Sequence, residues 1–199
     1  MPHRVGPYDA IRSETCVVVV SGVGPAAAAA ATATALAEAP YDAVMSVGIC
    51  GGFRGAAGIG DVVVATDIVA ADLGADSPEG FLAMSQLGWA EDSHPVDPLR
   101  LQWLGRALGD VVAGPVLTVS TVTGTSARAA LLAERHGAVA EAMEGWGVLT
   151  AALPYGIPVL EVRAVSNLVG DRDTRSWDIP LAFAVLETIG APLLEQQWL

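Results

Sequence analysis

Two junctions in this chain carry side chains able to do chemistry on a ligand. In Ala140-Glu-Ala-Met143-Glu144-Gly145-Trp146, Glu144 falls where a strand gives way to a helix inside an apolar stretch. A carboxylate there must be hydrogen-bonded to stay charged. It can be a first-turn helix residue favoured by the macrodipole, or an acceptor for two hydroxyls, as from a ribose. The local residues leave both open. In Glu161-Val-Arg-Ala-Val-Ser166-Asn167, Ser166 and Asn167 stand where an apolar strand opens into a loop. Asn167 can cap its own backbone or offer one donor and one acceptor to the edge of a ligand. Arg172, Asp173 and Arg175 come next in a charged loop that also reads as a solvated surface.

Two glycine turns accompany them. Gly22-Val-Gly24-Pro25-Ala26-Ala27 matches G-x-G-x-x-A between a strand and a helix, the context of a dinucleotide fingerprint. That motif needs an acid at the end of the next strand, and the candidate, Asp42, precedes its strand instead. A Rossmann oxidoreductase therefore stands only as a rival reading. Gly48-Ile-Cys-Gly51-Gly52 lies at a strand's carboxyl end, where ligands bind in open α/β sheets; by itself it is a turn. His3, His94 and His136 sit in no nucleophile or metal pattern, G-x-S-x-G is absent, and Cys16 and Cys50 lack metal-ligand neighbours. Metal and triad chemistry are not expected, and a reducing, cytoplasmic setting is the simplest reading.

At 199 residues, 52% hydrophobic and 16% charged, the chain can bury a sizeable core as one domain spanning residues 1–199. It has 22 acidic and 10 basic residues, and every basic residue is Arg. The absence of lysine removes Schiff-base chemistry and a P-loop lysine. A net charge of -12 argues against nucleic acid or an anionic membrane surface as partner. Residues 15–37 are uncharged and long enough to span a bilayer. Gly22, Gly24 and Pro25 break the stretch, however, and much of it is Ala, so a strand running into a helix explains it better.

β-branched runs predict strands over residues 16–20, 43–47, 61–65, 68–70, 116–120, 138–142 and 158–166. Periodicity and caps predict helices over 25–39, 97–108, 125–136, 143–153 and from 179 to the C-terminus. Residues 72–98 read as a long loop over a site. Alternating strands and helices predict an α/β class: a three-layer α/β/α sandwich around a central mixed, largely parallel sheet.

In order along the chain, Ser21-Gly-Val-Gly24, Val47-Gly-Ile-Cys-Gly-Gly52, Gly60-Asp-Val-Val-Val64, Glu141-Ala-Met-Glu144 and Val162-Arg-Ala-Val-Ser-Asn167 resemble the nucleoside phosphorylase and nucleosidase superfamily. Ala142-Met-Glu-Gly-Trp-Gly147 and Ser166-Asn-Leu-Val-Gly170, with Arg172-Asp173 and Trp177, resemble its branch that cleaves hypoxanthine from futalosine in menaquinone biosynthesis. The resemblance implies a small-molecule nucleoside substrate, no metal or organic cofactor, and a homo-oligomer. It implies that Glu144 holds the ribose hydroxyls with Met143 beneath the sugar. Gly51 and Cys50, with Val122 and Thr123, would line the base and sugar pocket. Asn167 would assist the departing purine, and Arg172 or Arg175 would pair with a substrate carboxylate unless both are simply solvated.

The adenine-specific members carry Asp at the position of Asn167, which implies a 6-oxopurine preference here. The phosphorylases carry Arg and Ser or Thr at the positions of Ser46 and Ile49, which implies hydrolysis. A paralogue that binds nucleosides without turnover is the further alternative. Members also begin with a strand and a loop bearing a water-activating Glu, whereas residues 1–15 here run into a segment resembling a later strand. Glu14 precedes a buried strand and is no substitute. The resemblance thus implies a missing first strand and base, with a slow and poorly soluble chain and an active extended form, since general-base help is worth about 10²–10⁴ in rate.

Overall fold

The structure is a computed structural model that describes residues 1–195. It opens with β1 (Pro2–Val5), β2 (Tyr8–Arg12) and β3 (Val17–Val19), an antiparallel three-stranded sheet. The β-branched pattern predicts only the strand at 16–20. It misses the β1–β2 hairpin because those strands are mostly polar and exposed, with Val5 and Ala10 their buried residues. Helix α1 (Pro25–Glu38) succeeds Gly24, whose φ of 94° suits glycine, and Pro25 starts it. It seats Ala28, Ala31 and Leu36 on the core. The uncharged stretch 15–37 is thus largely β3 and α1, and no helix among the described residues is long and apolar enough to cross a membrane.

The remaining elements are β4 (Val44–Gly52), β5 (Val62–Ala70), β6 (Gly74–Ala75), β7 (Leu82–Ala83), β8 (Ser93–Pro95), α2 (Pro98–Leu108), β9 (Val112–Thr118), α3 (Ser126–His136), β10 (Ala140–Ala142), α4 (Gly145–Ala152), β11 (Val159–Leu168) and α5 (Ile179–Glu195). The last residues of the final predicted helix lie outside the described residues. The main sheet has six strands in the order β11-β4-β10-β9-β5-β8. Strand β4 runs parallel to β11, and β9 parallel to β10 and β5; β10 meets β4 antiparallel, as does β8 with β5. The start of β5 also pairs antiparallel with β11 at Val162↔Val64, which closes the sheet on itself. The mixed, largely parallel α/β architecture is as expected; the closure is not.

The main hydrophobic cluster joins sheet residues such as Val64, Val116 and Val162 to Leu36 of α1, Leu149 of α4 and Ile189 of α5. A smaller cluster lies under α3 and includes Phe53, Leu117, Leu132 and Val169. Several boundaries differ from the expected ones, among them the start of β9 at Val112 instead of residue 116. The strand expected at 43–47 continues to Gly52, because Gly48 and Gly51 serve close neighbours rather than a turn: a Cβ would lie 2.7 Å from Arg163 Nη1 at Gly48 and 2.9 Å from Val169 Cγ2 at Gly51. Segments 61–65 and 68–70 are one strand, irregular between Ala65 and Ile68. The expected loop 72–98 contains the β6–β7 hairpin and β8.

Candidate active site

The carboxyl end of β11 leaves its ladder at a bulge: Val165 pairs with Cys50 and Asn167 with Gly51, so Ser166 is the extra residue. The buried Ser166 hydroxyl lies 3.1 Å from the Cys50 carbonyl and 2.9 Å from Asn167 Oδ1. Asn167 Nδ2 donates to the Leu168 carbonyl at 3.3 Å. A carbonyl only accepts, so the amide nitrogen must face it and the oxygen must face Ser166. That orientation leaves the second N–H available to a cavity lined by Asn167, Gly51, Val122, Thr123, Arg172 and Glu141.

Glu141, the middle residue of β10, pairs across the sheet with Gly51. It is 4% exposed. Its Oε1 accepts the Thr123 N–H at 2.8 Å and its Oε2 accepts the Thr123 hydroxyl. Burial pushes its carboxyl above the usual range, against those two hydrogen bonds.

Three residues on, Glu144 occupies the N-cap of α4 without capping it by its side chain. Its Oε1 accepts the Gly24 N–H at 3.2 Å, and its Oε2 accepts from Arg163 Nη1 at 2.9 Å. The G-x-G turn therefore presents its backbone to a carboxylate of this chain, which removes the dinucleotide reading of that motif. Arg163 is 2% exposed and also reaches Glu161 Oε1 through Nε at 2.8 Å and Ser46 Oγ through Nη2 at 2.7 Å. Burial works against its charge, but Glu161 and Glu144 outweigh this and hold the guanidinium pKa above its ordinary value. Burial raises Glu161, with Arg163 opposing. Gly145 and Gly48 make room for this cluster, since a Cβ at either would collide with Glu161 or Arg163.

Of the residues singled out in the sequence, Asn167, Gly51, Val122, Thr123 and Arg172 share the cavity. Glu144 and the half-buried Met143 are not on its wall and stand at the start of α4. Cys50 is not on the cavity wall. Its side chain belongs to the main core, burial pushes its thiol up to about 12, and what it gives the site is its carbonyl. Arg172 lies with its guanidinium carbon 5.8 Å from the Trp177 ring centre. Arg175 is an exposed surface residue paired with Asp173 at 2.8 Å. Motif and spacing assign no role to Glu141, Glu161 or Arg163. The available signal is Glu161-x-Arg163, opposite charges two apart in an apolar strand and hence on one face.

The phosphorylase superfamily model matches residues 6–188. The chain is 54% identical to a futalosine hydrolase of Streptomyces coelicolor over 89% of this chain and 79% of that one. It is 49% identical to a futalosine hydrolase of Acidothermus cellulolyticus, covering 96% and 80%. A third, from Thermus thermophilus, is 34% identical over 98% and 88%. Among solved structures, a 5'-methylthioadenosine/S-adenosylhomocysteine nucleosidase of Neisseria meningitidis, in complex with methylthio-immucillin-A, superposes with a TM-score of 0.83 at 24% identity, over 98% of this chain and 89% of that one. An S-adenosylhomocysteine nucleosidase of Streptococcus pyogenes also reaches 0.83, at 22% identity, over 100% and 88%. At these identities the two structures speak for the fold.

Proposed function

The chain belongs to the phosphorylase superfamily and, within it, with the futalosine hydrolases; from that premise we propose that it cleaves the N-glycosidic bond of futalosine, releasing hypoxanthine in menaquinone biosynthesis. The observation that carries this reading is the match to futalosine hydrolases at about half identity over most of the chain. The geometry supports it. Cleavage passes through a sugar with oxocarbenium character, so it needs a fixed negative group at the ribose and a donor for the leaving purine. Glu144 is held by Gly24 and Arg163 as a hydroxyl acceptor beside the cavity, and Asn167 turns a donor toward N7 and O6 of a 6-oxopurine. Water then bonds to the anomeric carbon as the bond to the purine nitrogen breaks, and the proton it loses ends on the released hypoxanthine. We also propose a homo-oligomer.

Hydrolysis is preferred to phosphorolysis because the cation beside Gly48, Arg163, already binds Glu161 and Glu144. It has no free fork for phosphate. Incubating the protein with futalosine should liberate hypoxanthine, detected by chromatography, at a rate unchanged by added phosphate and with a free sugar as co-product. A sugar 1-phosphate, or hypoxanthine binding without release, would refute the reading.

Arg172 is the group proposed to meet the substrate carboxylate, because Arg175 is tied to Asp173 whereas Arg172 reaches the cavity. Arg172→Ala should raise KM for futalosine on the order of tenfold, the worth of a charge-assisted contact, with kcat little changed. Arg175→Ala should leave both alone. Steady-state kinetics on the two variants checks this.

A further inference from the structure

We propose that Glu141 is the specificity determinant for the purine, accepting the N1–H of a 6-oxopurine and disfavouring a 6-aminopurine. The proposal rests on the nucleosidase reading above and concerns the same cavity.

A 6-oxopurine shows two acceptors, N7 and O6, and next to them one donor, N1–H. A 6-aminopurine shows an acceptor at N1 and a donor on its exocyclic nitrogen. Asn167 supplies an N–H to the cavity, which suits N7 or O6. The neighbouring polar group must then accept if the base is to be a 6-oxopurine. The cavity holds two carboxylates, and Asp171 is exposed to solvent and turned to the Ser126 N–H at 2.8 Å, whereas Glu141 is buried. Glu141 remains.

Its surroundings fit an acceptor. Both Thr123 donors, the N–H and the hydroxyl, turn into the carboxylate, so each of its oxygens keeps a lone pair for a ligand. The same two bonds engage the Thr123 N–H, so it is not free to donate to a ligand. Among the described residues no ion pair reaches Glu141, although it is 4% exposed. A buried carboxylate held by one residue's donors is costly to keep, and an N–H from the ligand completes its shell. Adenine would instead set its N1 lone pair against the carboxylate and leave both unsatisfied.

The test compares kcat/KM of the full chain and of Glu141→Gln on futalosine and on its 6-amino counterpart, aminofutalosine. In the wild type futalosine should be favoured by one to two orders of magnitude. Glu141→Gln should cut futalosine turnover by about tenfold or more and cost aminofutalosine less, because its NH2 can face N1; the ratio should fall by about tenfold. An equal loss on both substrates would show a structural role only and overturn the proposal. A second measurement needs no variant: inhibition of the wild type by hypoxanthine against 1-deazahypoxanthine, which carries C–H in place of N1–H at the same size and bears the ring proton of its oxo form on N3. Equal inhibition would overturn the proposal, and tenfold weaker inhibition by the deaza base supports it, even if the variant fails to fold. Discrimination between these two bases without cleavage of futalosine would sink the hydrolase reading and spare this one.

Discussion

Glu144→Gln is expected to lower kcat on futalosine by about 10²–10³-fold, the scale of removing one oriented electrostatic group from a transition state, with a loss of stability smaller than that of Arg163→Met because Glu161 still holds the arginine. The carboxylate takes the Gly24 N–H on one oxygen and Arg163 on the other, so its remaining lone pairs are aimed rather than free to rotate. Two ribose hydroxyls binding there would feel a full negative charge that strengthens as the sugar becomes cationic. An amide keeps the shape and an acceptor for Arg163 but loses that charge, so the loss should fall on kcat more than on KM. A variant that loses only ground-state affinity would show that Glu144 positions the sugar without stabilising the charge on it.

Arg163→Met carries the largest stability effect. It leaves the Glu161 carboxylate, which is 0% exposed, without its cation, and Oε2 of Glu161 already has no hydrogen-bond partner. Breaking a buried pair from one side costs about 3–5 kcal/mol, or roughly 6–20 °C in melting temperature for a domain of this size. The double change Arg163→Met with Glu161→Leu should recover much of that loss, because an apolar pair of similar volume needs no desolvation. It should not recover activity, since Glu144 would still lack its donor. Thermal unfolding and hydrolysis of the same three proteins separate the two roles of Arg163; activity restored together with stability would contradict its part in orienting Glu144.

Elements whose neighbours all agree are legible from sequence. Helix α1 has Pro25 at its start and an unbroken helix-forming run, and β11 has β-branched residues on both faces. The junctions at Glu144 and Asn167 are legible as places where apolar elements end in polar residues, but the choice between a capping role and a ligand role is not, since the partners Gly24 and Arg163 of Glu144 lie far off in sequence. The features that escape are tertiary. Gly48, Gly51 and Gly52 read locally as a stop, yet they sit inside β4 because Arg163, Val169, Asn167 and Val165 come close from β11 and the loop after it. The role of Glu141 is hidden because its partner Thr123 is distant in sequence and shows no local pattern. The Glu161–Arg163 pair is visible as a spacing, but its reach to Glu144 and Ser46 depends on which strand lies beside β11.

The bulge at Ser166 sets how this pocket can change. Up to Val165 the strand is locked in register with β4, and the one unmatched residue sets Asn167 and its successors on the cavity wall. Deleting a residue here would swap the faces of the next side chains and set Leu168 in place of Asn167. Lengthening the strand would bury the amide on the opposite side. Variation of the cavity, in a lineage or on a bench, is therefore confined to exchanging side chains at constant length, and loop grafts that shift the count between Val165 and Gly170 would take Asn167 off its wall.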